Sequence, residues 1–447
     1  MAEKQTGSRV PKSMELYARA EEIIGGSVQL LSRHPRMFAF GVSPIYVDHA
    51  KGCRLWDVDG HEYIDLLAGV GTVHLGYAYE PVDKAAHEQI DKGTMYSVNS
   101  PLEVELAEML IETVPCCEMV RYAKGGGDAD AVAVRIARGY TGKDKILFCG
   151  YHGWHDWYIA ANLKEAKLDE HLLPGVPSRG VPKALAGTAI PFPYNDLAHL
   201  KATFEANKGE VAAVMMEACR GQLPEEGYLE GVRDLCHENG ALLIFDEVVT
   251  GFRLAMGGAQ EYFGVVPDMA TFGKAIGNGY PLAAVVGRKE VMQCVSEMFI
   301  SSSFWSDPIS LAAGVAIQKI MKAEPVIEHL WKMGERFQEG MLAVAKDFGL
   351  PLEFHGLAPI THSGFHSEKP EDAKPLTTLY IQEMSKRGVY CAGANYIMYT
   401  LGPDDVDQVI AAFADAAPIL KDALEKGKLM EALEVPLAMT PFQRRLV

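Results

Sequence analysis

Short, wholly apolar runs that stop at a charged residue or a glycine recur through the middle of this chain. Val211–Met216 stops at Glu217, residues 241–245 stop at Asp246-Glu247, and Met269–Phe272 stops at Gly273-Lys274. Runs of four to six residues without polar alternation predict strands buried on both faces. Met119–Ala123 and Lys145–Cys149 also read as strands, and residues 282–286 follow the turn sequence Gly277-Asn278-Gly279-Tyr280-Pro281. Between these runs the apolar period lengthens to that of a helix, over Pro101–Thr113, from Asp128 onward, and over 228–239 up to Gly240. Strand, helix, strand in repetition predicts an α/β fold on a parallel sheet with right-handed crossovers. Such a sheet binds ligands outside the carboxyl ends of its strands. Two of the expected strands deliver a charge there, Asp246 and Lys274.

The flanks differ. Residues 13–24 predict a short helix ending at Gly25-Gly26, and the stretch from Ile45 to Gly69, with its Trp56-Asp57-Val58-Asp59-Gly60 turn, predicts two or three short strands. Beyond Glu324 the pattern is a helix over 325–347, strands within 351–366, a helix over 371–386, a strand from Arg387 and a helix over 404–425, which make an α+β unit. The Pro- and Gly-rich stretch 160–187 is expected to be a lid or partner-contacting loop.

The chemistry lies at the strand ends. A lysine beside a buried strand is costly to keep charged, and burial that lowers its pKa frees the amine for Schiff-base formation. An upstream carboxylate can pair with a pyridinium nitrogen, completing a pyridoxal phosphate site. Either residue alone reads better as an ordinary strand-end acid or surface lysine; the two together, with LLIFDEVVTGFR and a lysine 28 residues after the aspartate, are specific. A further signal is Gly125-Gly126-Gly127 leading from a strand into a helix, where bare N–H groups and the helix dipole suit a phosphate.

On these motifs the chain, from about residue 25 to about residue 420, resembles the class III aminotransferases of pyridoxal phosphate fold type I, and most closely their glutamate-1-semialdehyde aminomutase branch. The resemblance implies a large domain, 66–323, on a mainly parallel seven-stranded sheet, and a small α+β domain, 324–447, with segment 1–65 packed on it. It implies that Lys274 holds pyridoxal 5′-phosphate and shuttles a proton, and that Asp246 keeps the pyridine nitrogen protonated. It places Tyr151 against the ring with Val248 on the opposite face, His152 and Glu217 in the cofactor pocket, and Gly125, Gly126 and Gly127 around the phosphate. Ser303 matches a threonine that reaches the phosphate of the neighbouring subunit, which implies a homodimer with shared sites. Relatives carry hydroxyl side chains at the positions of Gly125 and Gly127, so Gly125→Ser with Gly127→Thr is expected to tighten cofactor binding. An N-terminal arginine holds substrate carboxylate in the aminomutases; Arg33 and Arg36 are both candidates here. The segment Cys391-Ala392-Gly393-Ala394-Asn395-Tyr396 lacks the acid of the aminomutases. Transamination between an amino donor and a keto or aldehyde acceptor is therefore the expected activity. An aminomutase or epimerase, or a degenerate cofactor binder, is the alternative.

Composition narrows the partners. A net charge of −17 disfavours nucleic acid and anionic membranes, and no apolar run is long enough to span a bilayer. The eight cysteines are scattered, as in a reducing cytoplasm rather than a zinc or disulfide framework. His152, His155 and Asp156 invite a metal reading, but no zinc-type spacing accompanies them, and a pocket rim explains them better.

Overall fold

The apolar runs assemble into one seven-stranded sheet. Its strands are β1 (Met119–Ala123), β2 (Lys145–Cys149), β3 (Ala189–Pro191), β4 (Val211–Met216), β5 (Leu242–Asp246), β6 (Met269–Phe272) and β7 (Ala283–Gly287). The order across the sheet is β1-β7-β6-β5-β4-β2-β3. All neighbours are parallel except β7, which is antiparallel to β1 and β6. Strands β4 to β7 are buried at every position, as unbroken apolar runs require when helices cover both faces. The protein is described here from a computed structural model, over residues 8–163, 176–219, 221–367 and 369–439. The central part of the expected lid, 164–175, lies outside the described residues.

Register, rather than composition, sets up the functional edge. Asp246 at the end of β5 lies opposite Thr271 of β6, so Lys274 follows the sheet edge by three residues. Helix Gly126–Thr141 connects β1 to β2, and Tyr228–Glu238 connects β4 to β5. The helices Glu80–Lys92 and Leu197–Ala206 were not signalled in advance. The first buries only Val82, Ala86 and Gln89, too few apolar positions for a visible stripe.

Contacts divide the described residues into two compact units, one formed by Glu80–Ile327 and the other by residues 8–79 together with 328–439. In the second unit the strands Val47–Lys51, Arg54–Asp57 and Glu62–Asp65 form a meander, which Val389–Tyr390 joins in parallel, with Val389 opposite Ile64. A three-stranded antiparallel sheet of Leu352–Leu357, Ile360–Phe365 and Ala394–Tyr396 accompanies the helices Val326–Phe348, Pro370–Lys386 and Pro403–Glu425. Among the described residues, no helix is long and apolar enough to cross a membrane.

Glu247, one residue past Asp246, anchors the chain that leaves β5. It is buried and accepts from Thr250 Oγ1, Ala259 N (2.8 Å), Gln260 N (2.9 Å) and Gln260 Nε2 (3.4 Å). Burial raises its pKa while these donors oppose the rise. Gly258, at φ +83°, is required here because a Cβ would sit 2.6 Å from Glu247 Oε2. Glu247→Gln turns one acceptor oxygen into a donor facing donors. It should cost about 1–3 kcal/mol of stability, read as a lowered urea midpoint at unchanged slope.

Candidate active site

The candidate site is built by four chain segments that meet at the carboxyl edge of the sheet. The first is the exit from β5. Asp246 is 4% exposed, and both carboxylate oxygens are oriented: Oδ1 accepts from Val248 N at 3.0 Å, and Oδ2 lies 2.8 Å from His152 Nδ1. Since a carboxylate oxygen only accepts, the imidazole donates from Nδ1. His152 is itself fully buried, 22° from parallel to Trp157 at 6.2 Å and edge-on to Phe148 at 6.1 Å and to Tyr158 at 5.7 Å. Its ring is therefore held by packing, and its Nε2 finds no hydrogen-bond partner among the described residues.

The second segment carries Lys274. Its φ is +49°, in the left-handed region that side chains other than glycine rarely occupy. Asn278, which ends the short 3₁₀ turn Lys274–Gly277, is left-handed as well. A strained non-glycine backbone immediately after a buried strand is the kind of conformation that surrounding structure preserves at functional sites.

The third segment follows β2. Tyr151 is 37% exposed and edge-on to Tyr158 at 6.0 Å. Its backbone N–H donates to Glu217 Oε2 at 3.0 Å. Glu217, buried at the end of β4, thus fixes the backbone that carries Tyr151. Gly150, at φ +122°, lets this happen, because a Cβ would lie 2.7 Å from Glu217 Oε2.

The fourth is the glycine loop. The helix begins at Gly126, two residues before the expected start at Asp128, and Gly125 is its cap. Asp128 Oδ2 accepts from Gly125 N at 3.2 Å, so that donor is already engaged. The amides of Gly126 and Gly127 open the helix, where the geometry provides no intrahelical acceptor. Gly126 is packed so closely that a Cβ would lie 2.7 and 2.9 Å from the two methyls of Val248. Val248 therefore presses on the loop. A Cβ at Gly127 would meet His155 Nδ1 at 3.3 Å and Gly153 Cα at 3.4 Å, whereas at Gly125 the nearest atom is Asp128 Oδ2 at 3.5 Å. A side chain at Gly127 therefore enters only if His155 gives by a few tenths of an ångström, and the expected benefit of Gly127→Thr depends on that ring moving. His155 Nε2 lies 3.3 Å from Asp128 Oδ1 beside the loop. Lys124, just before the loop, pairs with Asp307, whose Oδ1 caps helix Pro308–Ala323 through Ile309 N and Ser310 N, both at 3.1 Å.

The structure brings Asp246, His152, Val248, Gly126 and Gly127 into direct or one-residue contact, with Glu217 bound to the Tyr151 backbone. Ser303 lies apart from this network, on an exposed turn. Arg33 and Arg36 belong to the other unit. There Arg36 lies 3.9 Å from Glu21 and over the Phe40 ring at 5.0 Å, and Arg33 is near Tyr390. One residue escaped the sequence reading. Asp130 is 2% exposed and accepts from Thr271 Oγ1 at 2.7 Å. Its signal was available: with Ala133, Val134 and Ala137 it falls on the buried stripe of helix Gly126–Thr141, where an acid is out of place.

Pyridoxal phosphate fits these residues. A doubly oriented, buried carboxylate suits a protonated ring nitrogen, and two helix-opening glycine amides suit a phosphate. Comparison with known proteins agrees. A family model described as Aminotransferase class-III matches residues 38–416. The 3-aminobutyryl-CoA aminotransferase of Cloacimonas acidaminovorans is 36% identical over 95% of this chain and 100% of its own length. A glutamate-1-semialdehyde 2,1-aminomutase of Syntrophobacter fumaroxidans is 36% identical over 92% of this chain and 98% of its own. The solved structure of the FumI protein of Sphingopyxis sp. MTA144, in its PLP internal aldimine form, superposes with a TM-score of 0.84 at 26% identity, covering 93% of this chain and 98% of that one.

Gly126→Ala, which drives a methyl into Val248, should weaken pyridoxal phosphate binding by about tenfold or more, the equivalent of about 1.4 kcal/mol. Gly125→Ser should leave it within about threefold. Equilibrium dialysis with absorbance detection measures both, and an unaffected Gly126→Ala would show that the loop has slack.

Proposed function

Because this chain belongs to the class-III aminotransferases, and is a transaminase that uses pyridoxal 5′-phosphate, we propose that Lys274 is its catalytic lysine and Asp246 its ring-nitrogen carboxylate. The observation that carries the assignment is the buried, doubly oriented Asp246, one strand away from a left-handed Lys274. When bound, the cofactor supplies an aldehyde for the amine and a ring that withdraws electrons. The rest is the work of side chains. Lys274 Nζ holds the cofactor at rest and, once an amino donor has displaced it, moves a proton at the substrate carbon. Asp246 keeps the ring nitrogen protonated, with His152 and the Val248 amide keeping its oxygens in position. Tyr151 and Val248 bound the ring on opposite faces, and Glu217 acts as a positioning residue through the Tyr151 amide. The Gly126 and Gly127 amides take the phosphate.

The reaction we propose moves an amino group from a donor to a keto or aldehyde acceptor. The related aminomutase keeps the alternative specific: a mutase retains the amine and needs no keto co-substrate. We further propose a cytoplasmic homodimer in which Ser303 serves the partner's phosphate site. Supporting this, Phe299 and Phe304, which flank Ser303, are 86% and 67% exposed, costly for a lone chain. The eight free cysteines support a reducing compartment.

Incubation with amino donors should bleach the visible absorbance of the bound cofactor, and a keto acid should restore it. Lys274→Ala should lose turnover by on the order of 10²–10⁴-fold or more while still binding cofactor. Turnover without any keto co-substrate would replace the transaminase reading with a mutase. Light scattering should give twice the 48.8 kDa chain mass, and Ser303→Ala should weaken cofactor binding only if the dimer shares its sites.

A further inference from the structure

We propose that Asp130 and Asp246 form a buried acid pair that carries one proton between them, resident on Asp130, and that Asp130 is a positioning residue acting on the cofactor through Asp246. The second part rests on the reading that Asp246 serves the ring nitrogen; the first does not.

The geometry comes from three elements. Asp130 projects from the first turns of helix Gly126–Thr141, Asp246 ends β5, and His152 follows β2. One ligand atom of each lies within 4.8 Å of the others, and all three side chains are buried. Two ionised carboxylates that close, in an interior of low dielectric, repel strongly, and such pairs resolve by keeping one proton.

The partners decide which carboxyl keeps it. Asp246 accepts from two N–H donors, the Val248 amide and His152 Nδ1. Both favour its ionised form. Asp130 accepts from one neutral hydroxyl, Thr271 Oγ1, on the β6 residue that pairs with Asp246. The other charged groups facing Asp130 are Glu217 from β4, which opposes its ionisation, and Lys274 after β6, which favours it. Burial and Asp246 outweigh Thr271 and Lys274, and hold the Asp130 carboxyl well above the usual carboxylate range.

A neutral Asp130 leaves Asp246 as the one charged member of the pair, which matches a single ring-nitrogen cation. It also gives Asp246 a polar neighbour in place of a second charge, so the hold of Asp246 on the ring proton is set partly by Asp130. An asparagine copies the neutral acid in shape and polarity; a leucine copies only its bulk.

The test has two arms. The first is infrared spectroscopy near pH 7 of the protein with and without cofactor. The difference spectrum of wild type minus Asp130→Asn should contain one carbonyl stretch of a protonated carboxylic acid. No such band, or a carboxylate pair in its place, overturns the proposal. This arm does not depend on the cofactor assignment. Should Asp130→Asn fail to fold, Thr271→Val serves instead: loss of the hydroxyl donor should move the disappearance of that band to higher pH, and an unmoved band overturns the proposal. The second arm titrates the visible absorbance of bound pyridoxal phosphate. Asp130→Asn should keep the wild-type midpoint and bind cofactor within about threefold. Asp130→Leu should move the midpoint by about half a unit or more. A leucine variant with the wild-type midpoint overturns the positioning role. Loss of the visible band from every variant and from wild type alike would instead indict the cofactor reading, leaving the infrared result standing.

Discussion

A buried carboxylate whose two oxygens must both find donors is the constraint on which this site depends. Burying Asp246 is unfavourable unless its oxygens are satisfied. The structure meets that need with an amide two residues along and an imidazole from another strand's exit. The imidazole is in turn fixed by Phe148, Trp157 and Tyr158. Core packing behind β2 is thereby tied to the orientation of the carboxylate at the end of β5. Asp130 adds a second condition, since a neighbouring acid can be tolerated only when neutral.

The glycine loop shows how closely the remaining space is allocated. Val248 presses on Gly126, His155 and Gly153 on Gly127, and Asp128 takes the Gly125 amide. A side chain at Gly127 would meet His155 Nδ1 at 3.3 Å, so a hydroxyl added there has to shift that ring. The glycines are therefore part of a local arrangement with its own neighbours. Glu217 follows the same logic: it fills the space left by Gly150 and holds the Tyr151 amide.

Much was legible in the order of residues along the chain. Strand cores and the charges at strand ends follow from short apolar runs, because a strand buried on both faces has few polar positions to spare, and the mainly parallel direction follows from the alternation of strands with helices. β1, β2, β4 and β6 begin and end where those runs do. Lys274, Asp246 and the glycine loop were visible because each breaks a local pattern at a strand or helix boundary. Helices with thin apolar stripes, Glu80–Lys92 above all, were not visible, since their burial depends on what packs against them.

The sequence by itself thus determined an α/β sheet, its carboxyl edge and the residue types delivered there, as periodicity and abrupt polarity changes are local properties. Only the tertiary structure decided which of those residues meet. The pairing of His152 with Asp246 spans 94 positions, and the hydrogen bond from Thr271 to Asp130 spans 141. Such contacts are set by strand register and helix placement, which no local pattern encodes. The space beside each glycine is likewise a property of neighbours distant in the chain, as Val248 against Gly126 shows. Asp130 belongs to both descriptions: its place on an apolar stripe is written in the sequence, but its closeness to Asp246 exists only in the folded sheet.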